Sequence, residues 1–190
     1  TKTAESRRAS LSWVDCTVAR FAPAACVWIY SAHEEQIDMD KLQVALAGTL
    51  NYYRPWSGQL EWLDQPFGKM CVSYGLPSDP GALFVVAECE KALSEYYPTW
   101  EQRAQQLVWE CNDYDLLTAA EEYAAFHNLV DHVGLACLIV QATKFACGGV
   151  SIGIRITHPL ADAQSMIGFV HNWATVYKTG QLAFIPLFDS

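Results

Sequence analysis

Two β-like runs joined by a glycine pair constrain the fold of this chain more than any other feature. The first, Leu135 to Phe145, is rich in Leu, Ile and Val; the second, Val150-Ser151-Ile152-Gly153-Ile154-Arg155-Ile156-Thr157, alternates β-branched apolar residues with small or polar ones. Period-two alternation is the pattern of a half-buried strand. Between them stands Cys147-Gly148-Gly149, where paired glycines can supply the positive φ angles of a tight hairpin. The two runs are therefore expected to pair antiparallel and to lead directly into Thr157-His158-Pro159-Leu160-Ala161-Asp162, which puts an imidazole and a carboxylate on one short connection. Asp162 then occupies an N-cap position, and Met166, Val170, Trp173 and Tyr177 step by four, three and four along one face of a helix that ends at Gly180.

Upstream, strands and helices are expected in mixed order. Ala25 to Tyr30 reads as a buried strand. Asp38 opens a helix whose apolar positions Met39, Leu42, Leu46, Leu50 and Tyr53 step by three or four, and which stops before Pro55. Strands are predicted at Lys69 to Tyr74 and Leu83 to Ala87, separated by the Gly/Pro-rich segment Gly75 to Gly81. From Lys91 to Val133 the pattern lacks a steady period beyond a helix around Thr118 to Phe126. No repeat or linker interrupts the chain, so residues 1–190 are read as one mixed α/β domain.

Composition narrows the function. An apolar fraction of 52% with 17% charge belongs to a folded chain with a sizeable core. No window approaches the ~18 apolar residues of a membrane span, and Thr1 to Arg8 lacks the apolar stretch of a signal peptide. A net charge of −9 opposes binding to nucleic acid or an anionic membrane, leaving a small molecule as the expected partner. The seven cysteines (16, 26, 71, 89, 111, 137 and 147) are odd in number, scattered and never in C-x-x-C spacing; they read as reduced thiols in a cytoplasmic protein.

His158 is the candidate for chemistry. A neutral imidazole of ordinary pKa about 6.5 accepts a proton from a hydroxyl or amine near neutral pH, and Pro159 restrains the backbone after it. Asp162 has two readings: it neutralises a cation and braces the loop, or it only caps the helix. A metal site of His158, Asp162 and His171 lacks a further ligand at a fitting spacing, so no metal is expected. His33, His127 and His132 are isolated singletons.

Several segments resemble one family. Leu11-Ser12-Trp13-Val14-Asp15 is similar to an opening L-S-x-x-D, Pro55-Trp56-Ser57-Gly58-Gln59-Leu60 to P-L-A-G-R-L, and Phe84-Val85-Val86-Ala87-Glu88 to F-V-E-A. Val140-Gln141-Ala142-Thr143-Lys144-Phe145-Ala146-Cys147-Gly148-Gly149 resembles V-Q-x-T-x-F-x-C-G-G, at the expected distance before the H-x-x-x-D of His158 and Asp162. Phe169, Trp173-Ala174 and Pro186-Leu187-Phe188-Asp189 continue the match. By these residues the chain resembles the N-terminal half of a BAHD-type acyl-CoA-dependent acyltransferase of secondary metabolism, in the manner of the fungal trichothecene 3-O-acetyltransferases.

The resemblance implies a chloramphenicol acetyltransferase-like half, a two-layer α/β arrangement of mixed sheet and flanking helices. It implies His158 as the base that deprotonates an acceptor alcohol or amine. Asp162 is implied as a structural residue that holds the loop through an arginine contact. Acyl-CoA is implied as co-substrate, with no tightly bound cofactor. Ala163 departs from the glycine many members carry. The D-F-G-W-G motif of the second half does not occur here, and the apolar stretch Phe184 to Ser190 reads as an interrupted chain. The C-terminal half is therefore expected as a continuation or companion chain, and without it the domain is expected to be inactive. Arg20, Arg54 and Arg155 cannot be assigned to the phosphates of CoA from sequence. Two alternatives stand beside this reading. A condensation-type domain using carrier-bound acyl groups shares the H-x-x-x-D core but usually has a second histidine where this chain has Thr157. A non-catalytic binding or scaffold module would keep the fold without turnover.

Overall fold

The computed structural model describes residues 6–19, 21–32, 36–64, 69–96, 101, 104–105, 117–119 and 134–188. In chain order the elements are β1 (Arg7–Ser10), α1 (Trp13–Thr17), β2 (Ala24–Tyr30), α2 (Met39–Leu50), β3 (Gln59–Asp64), β4 (Lys69–Tyr74), β5 (Ala82–Cys89), α3 (Leu93–Tyr96), β6 (Leu138–Phe145), β7 (Val150–Ile156) and α4 (Ala163–Thr179). Short 3-10 turns cover Arg54–Ser57 and His158–Leu160. Most of the helix expected around Thr118 to Phe126 falls outside the described residues, as do Arg20, His33, Cys111, His127 and His132.

The expected hairpin is present. β6 and β7 pair antiparallel, Leu138 opposite Ile156 and Lys144 opposite Val150. They form the middle of a four-stranded sheet of order β2-β7-β6-β5. β2 joins antiparallel and β5 joins β6 parallel, so the sheet is mixed. The two glycines of the turn serve different ends. Only Gly148 adopts positive φ, at 82°. At Gly149 a Cβ would meet the Tyr30 carbonyl oxygen at 3.1 Å and Leu93 at 3.3 Å, so close approach, not φ, requires glycine there.

β7 departs from the half-buried strand its alternation predicts, because every one of its residues is buried. Val150, Ile152, Ile154 and Ile156 face the main core, packed under α2 and α4 with Leu42, Leu46, Met166 and Trp173. The intervening Ser151, Gly153 and Arg155 lie on the opposite face, and there the backbone of Leu117 passes so close to Gly153 that any Cβ would collide with its carbonyl. Small residues on that face thus mark a covering segment, whereas in an ordinary half-buried strand they would mark solvent.

α2 and α4 close the core side. Asp38 caps α2 by accepting from the Lys41 amide at 3.0 Å, and Trp173 donates its indole N–H to the Leu42 carbonyl at 3.0 Å, locking the two helices together. α4 ends as expected at Gly180, with φ 76°. Its buried face is broader than the predicted stripe: Phe169 and Asn172 are buried, while Val170 and Tyr177 are only half-buried.

Four elements stand outside the periodic pattern read from the sequence: β1, α1, β3 and α3. β1 and β3 flank β4 in a second, antiparallel sheet of order β1-β4-β3. Its small core of Leu60, Met70, Val72 and Cys137 sits beside the start of β6. Gly58, before β3, leaves no room for a side chain, because a Cβ there would collide with the Ser73 carbonyl. This second sheet matters for the site because β1 leads directly into α1, the wall opposite His158.

Candidate active site

The end of β7 sets the position of His158. The Thr157 amide donates to the Cys137 carbonyl at 2.9 Å, tying the strand end to β6, and the chain then turns at His158–Leu160 with Pro159 buried beneath it. The amides of Leu160 and Ala161 donate back to the carbonyls of Thr157 and His158, at 3.0 and 3.3 Å. These bonds fix the backbone from which the imidazole projects.

The imidazole is half-buried and lines a cavity of about 480 Å³. Its walls include Ser12, the cap of α1, and Asp15 within it, Pro55 and Trp56 of the first 3-10 turn, Val72 and Tyr74 of β4, and the His158 to Asp162 loop. The Phe21 ring stands edge-on to the imidazole, 6.0 Å between centroids. A volume of several hundred Å³ suits a small organic ligand.

α1 is held by a capping box. Ser12 Oγ accepts from the Asp15 amide at 3.1 Å while Asp15 Oδ2 accepts from the Ser12 amide at 3.0 Å and from the Ser12 hydroxyl at 2.7 Å. These are the serine and aspartate of the L-S-x-x-D segment, and their spacing was the available signal for this helix.

Asp162 is at the mouth, exposed, and its Oδ1 accepts from the Ser165 amide at 2.7 Å, making it the N-cap of α4. The Ser165 amide, then the Ser165 hydroxyl, hold its carboxyl below the ordinary carboxylate value, and charge on the neighbouring His158 adds a smaller pull in the same direction. His158 and Asp162 therefore share one cavity, with the cap as the shown contact of the carboxylate. His171 lies away from them on α4, its ring stacked on Phe184. Among the described residues no group of three or more His, Cys, Asp or Glu is arranged to hold a metal ion.

Of the three arginines, Arg20 lies outside the described residues, Arg54 is exposed, and Arg155 is buried in β7 at 6% exposure. Phe188, from the apolar tail, completes the cavity wall. No periodicity could have placed that ring at the site, since it arrives through the path of an irregular segment. No helix among the described residues is long and apolar enough to cross a membrane.

Comparisons with known proteins agree with this architecture. The chain is 28% identical over 162 residues to the hydroxycinnamoyl-CoA:5-hydroxyanthranilate N-hydroxycinnamoyltransferase HHT4 of Avena sativa, covering 83% of this chain and 32% of that protein. It thus spans about a third of the length of such a relative. Among solved structures, vinorine synthase superposes with a TM-score of 0.66 at 21% identity, covering all of this chain and 42% of that one. F. graminearum TRI101, solved with ethyl coenzyme A, gives 0.60 at 12% identity, covering 97% of this chain and 41% of that one. These likenesses show a mixed α/β fold of the chloramphenicol acetyltransferase type. The model of the Transferase family matches residues 1–190. With the mixed sheet, the histidine at the end of its central strand and a family match along its whole length, the chain belongs to the Transferase family, the BAHD-type acyltransferases.

Proposed function

We propose that this chain is the base-bearing half of an enzyme that transfers an acyl group from acyl-CoA to an alcohol or amine of a small acceptor. The observation that carries the reading is His158, half-buried on a rigid turn and open to a cavity of about 480 Å³. The imidazole takes the proton of the acceptor O–H or N–H as that atom attacks the thioester carbonyl. The C=O electrons move to oxygen, giving a tetrahedral oxyanion. Collapse re-forms C=O and breaks the C–S bond, the CoA thiolate leaves, and the imidazolium returns its proton to sulfur. The product is an ester or an amide. Asp162 acts in this scheme by fixing the start of α4 and the loop before it.

Relatives support the donor class: one is named for hydroxycinnamoyl-CoA, and a fold neighbour was solved with ethyl coenzyme A. A second half is part of the proposal. In support, Trp13, Val14, Phe21 and Leu187 are 60%, 74%, 59% and 83% exposed, large apolar side chains left for a partner to cover. That half would supply the CoA contacts and the oxyanion donor, in a cytoplasmic enzyme.

The test is His158→Ala in the protein carrying both halves, read by release of CoA thiol from acyl-CoA in the presence of acceptor. A loss of about 100-fold or more in kcat is expected, the usual cost of removing a general base. Activity within about tenfold of the parent refutes the role. The separate 190-residue chain is expected to release no thiol above background.

A further inference from the structure

Next to the His158 cavity lies a second hollow of about 410 Å³, bounded by Tyr53, Trp56, Phe184 and Phe188. Trp56 and Phe188 border both spaces, as do Leu160 and Asp162, so the hollows adjoin. Tyr53 and Trp56 form the buried floor, at 4% and 2% exposure, whereas Phe184 and Phe188 are 46% and 47% exposed and offer ring surface to an occupant.

A buried amide holds the Phe184 backbone and the Tyr53 ring that Phe188 meets. Asn172 on α4 has no solvent exposure. Its Oδ1 accepts from the amides of Ala183 and Phe184 at 3.0 and 3.1 Å; its Nδ2 donates to the Phe184 carbonyl at 3.0 Å and to the Tyr53 hydroxyl at 2.9 Å. Two donors and two lone pairs are all an asparagine side chain has, and all are used. Tyr53, so fixed, meets the Phe188 ring edge-on at 5.6 Å. The amide thus sets the backbone under one ring and the neighbour of the other. A leucine would fill the same buried space without desolvating polar atoms, so the asparagine is explained by its hold on the backbone of residues 183 and 184 and on the Tyr53 hydroxyl. Rings fixed before a ligand arrives lose less freedom on binding it.

We propose that this hollow is a binding subsite for a flat aromatic group of the acyl donor or of the acceptor, with Phe188 as its specificity-determining ring and Asn172 as the residue that positions it. The proposal rests on the reading of the His158 cavity as the site of acyl transfer.

The experiment measures kcat/KM by thiol release in the protein carrying both halves, in two arms. One compares p-coumaroyl-CoA with acetyl-CoA at a fixed acceptor. The other compares 5-hydroxyanthranilate with ethanolamine at a fixed donor. Phe188→Ala is expected to lower the aromatic-to-small ratio by about tenfold or more in one arm, and that arm identifies which substrate occupies the subsite. Phe188→Trp keeps the ratio within about threefold of the parent, because an aromatic face remains. Asn172→Leu lowers the ratio in the same arm, and so does Asn172→Asp, whose second oxygen would face the Phe184 carbonyl where the amide N–H donates. Should the Asn172 variants fail to fold, the half-exposed Phe188 pair decides. Ratios unmoved in both arms, or all substrates slowed equally, overturn the subsite while a His158→Ala loss leaves the base reading standing. Turnover that survives His158→Ala removes that reading and the subsite with it.

Discussion

Replacing Asp162 separates a bracing role from a catalytic one, and the geometry sets the size of the effect. The carboxylate accepts the Ser165 amide at 2.7 Å across the first turn of α4, the 17-residue helix that carries Phe169, Asn172 and Trp173 into the core. Removing an N-cap of this kind costs about 1 kcal/mol. Its negative charge at the helix N-terminus contributes roughly 0.3–1 kcal/mol more at low ionic strength. Asp162→Ala should therefore destabilise by about 1.5 kcal/mol, or about 3–6 °C in Tm for a chain of this size. Asp162→Asn keeps a side-chain oxygen for the amide and loses only the charge, so it should lose about 1–3 °C. The assay is thermal unfolding followed by circular dichroism at low salt, where charge effects are least screened. Acid adds a second signature. Because the folded carboxyl titrates below its unfolded value, its contribution is complete above about pH 3.9 and disappears as pH falls through the lower folded value. Asp162→Asn should lack that loss. Equal melting of the two variants, or an alanine variant within about 1 °C of the parent, would refute the capping account.

Thiol chemistry gives an independent prediction. Amides of Leu93 and then Gly149 lower the Cys147 thiol, which is exposed, whereas burial pushes Cys137 up to about 12. Iodoacetamide should label Cys147 ahead of the other described cysteines and leave Cys137 unmodified until the protein unfolds; mass spectrometry of tryptic peptides reads the order. Phe169, at zero exposure, packs against Tyr53 and Trp56 with ring centroids 5.0 and 4.8 Å away, so Phe169→Ala should cost about 3–5 kcal/mol in denaturant unfolding. Gly153→Val should cost about 1–3 kcal/mol by the same measure, since the added side chain meets the Leu117 backbone.

Legibility of the site followed the range of the interactions that make it. Asp38 and Asp162 as caps, Gly180 as a helix stop and β4 at Lys69–Tyr74 all obey local rules that act within a few residues, and each is where the pattern puts it. The Ser12–Asp15 capping box is equally local, and the same residues carry the resemblance to the family. β1 and β3 had no such signal because short strands at the edges of a small sheet are stabilised by their neighbours more than by their own alternation.

What the amino-acid sequence determined by itself is the periodic frame: a hairpin, a histidine at its exit, a capped helix after it, and motifs enough to identify the family. What the tertiary structure alone decided is which faces are covered and which distant residues meet. The polar face of β7 is buried because the Leu117 segment crosses it, Gly149 is needed because Tyr30 and Leu93 approach it, and the cavity exists because α1, Trp56, Tyr74, His158 and Phe188 converge from separate stretches. Periodicity reports the side of an element that prefers to leave water. It carries no record of what arrives to cover the other side, since burial is a property of the partner as much as of the residue.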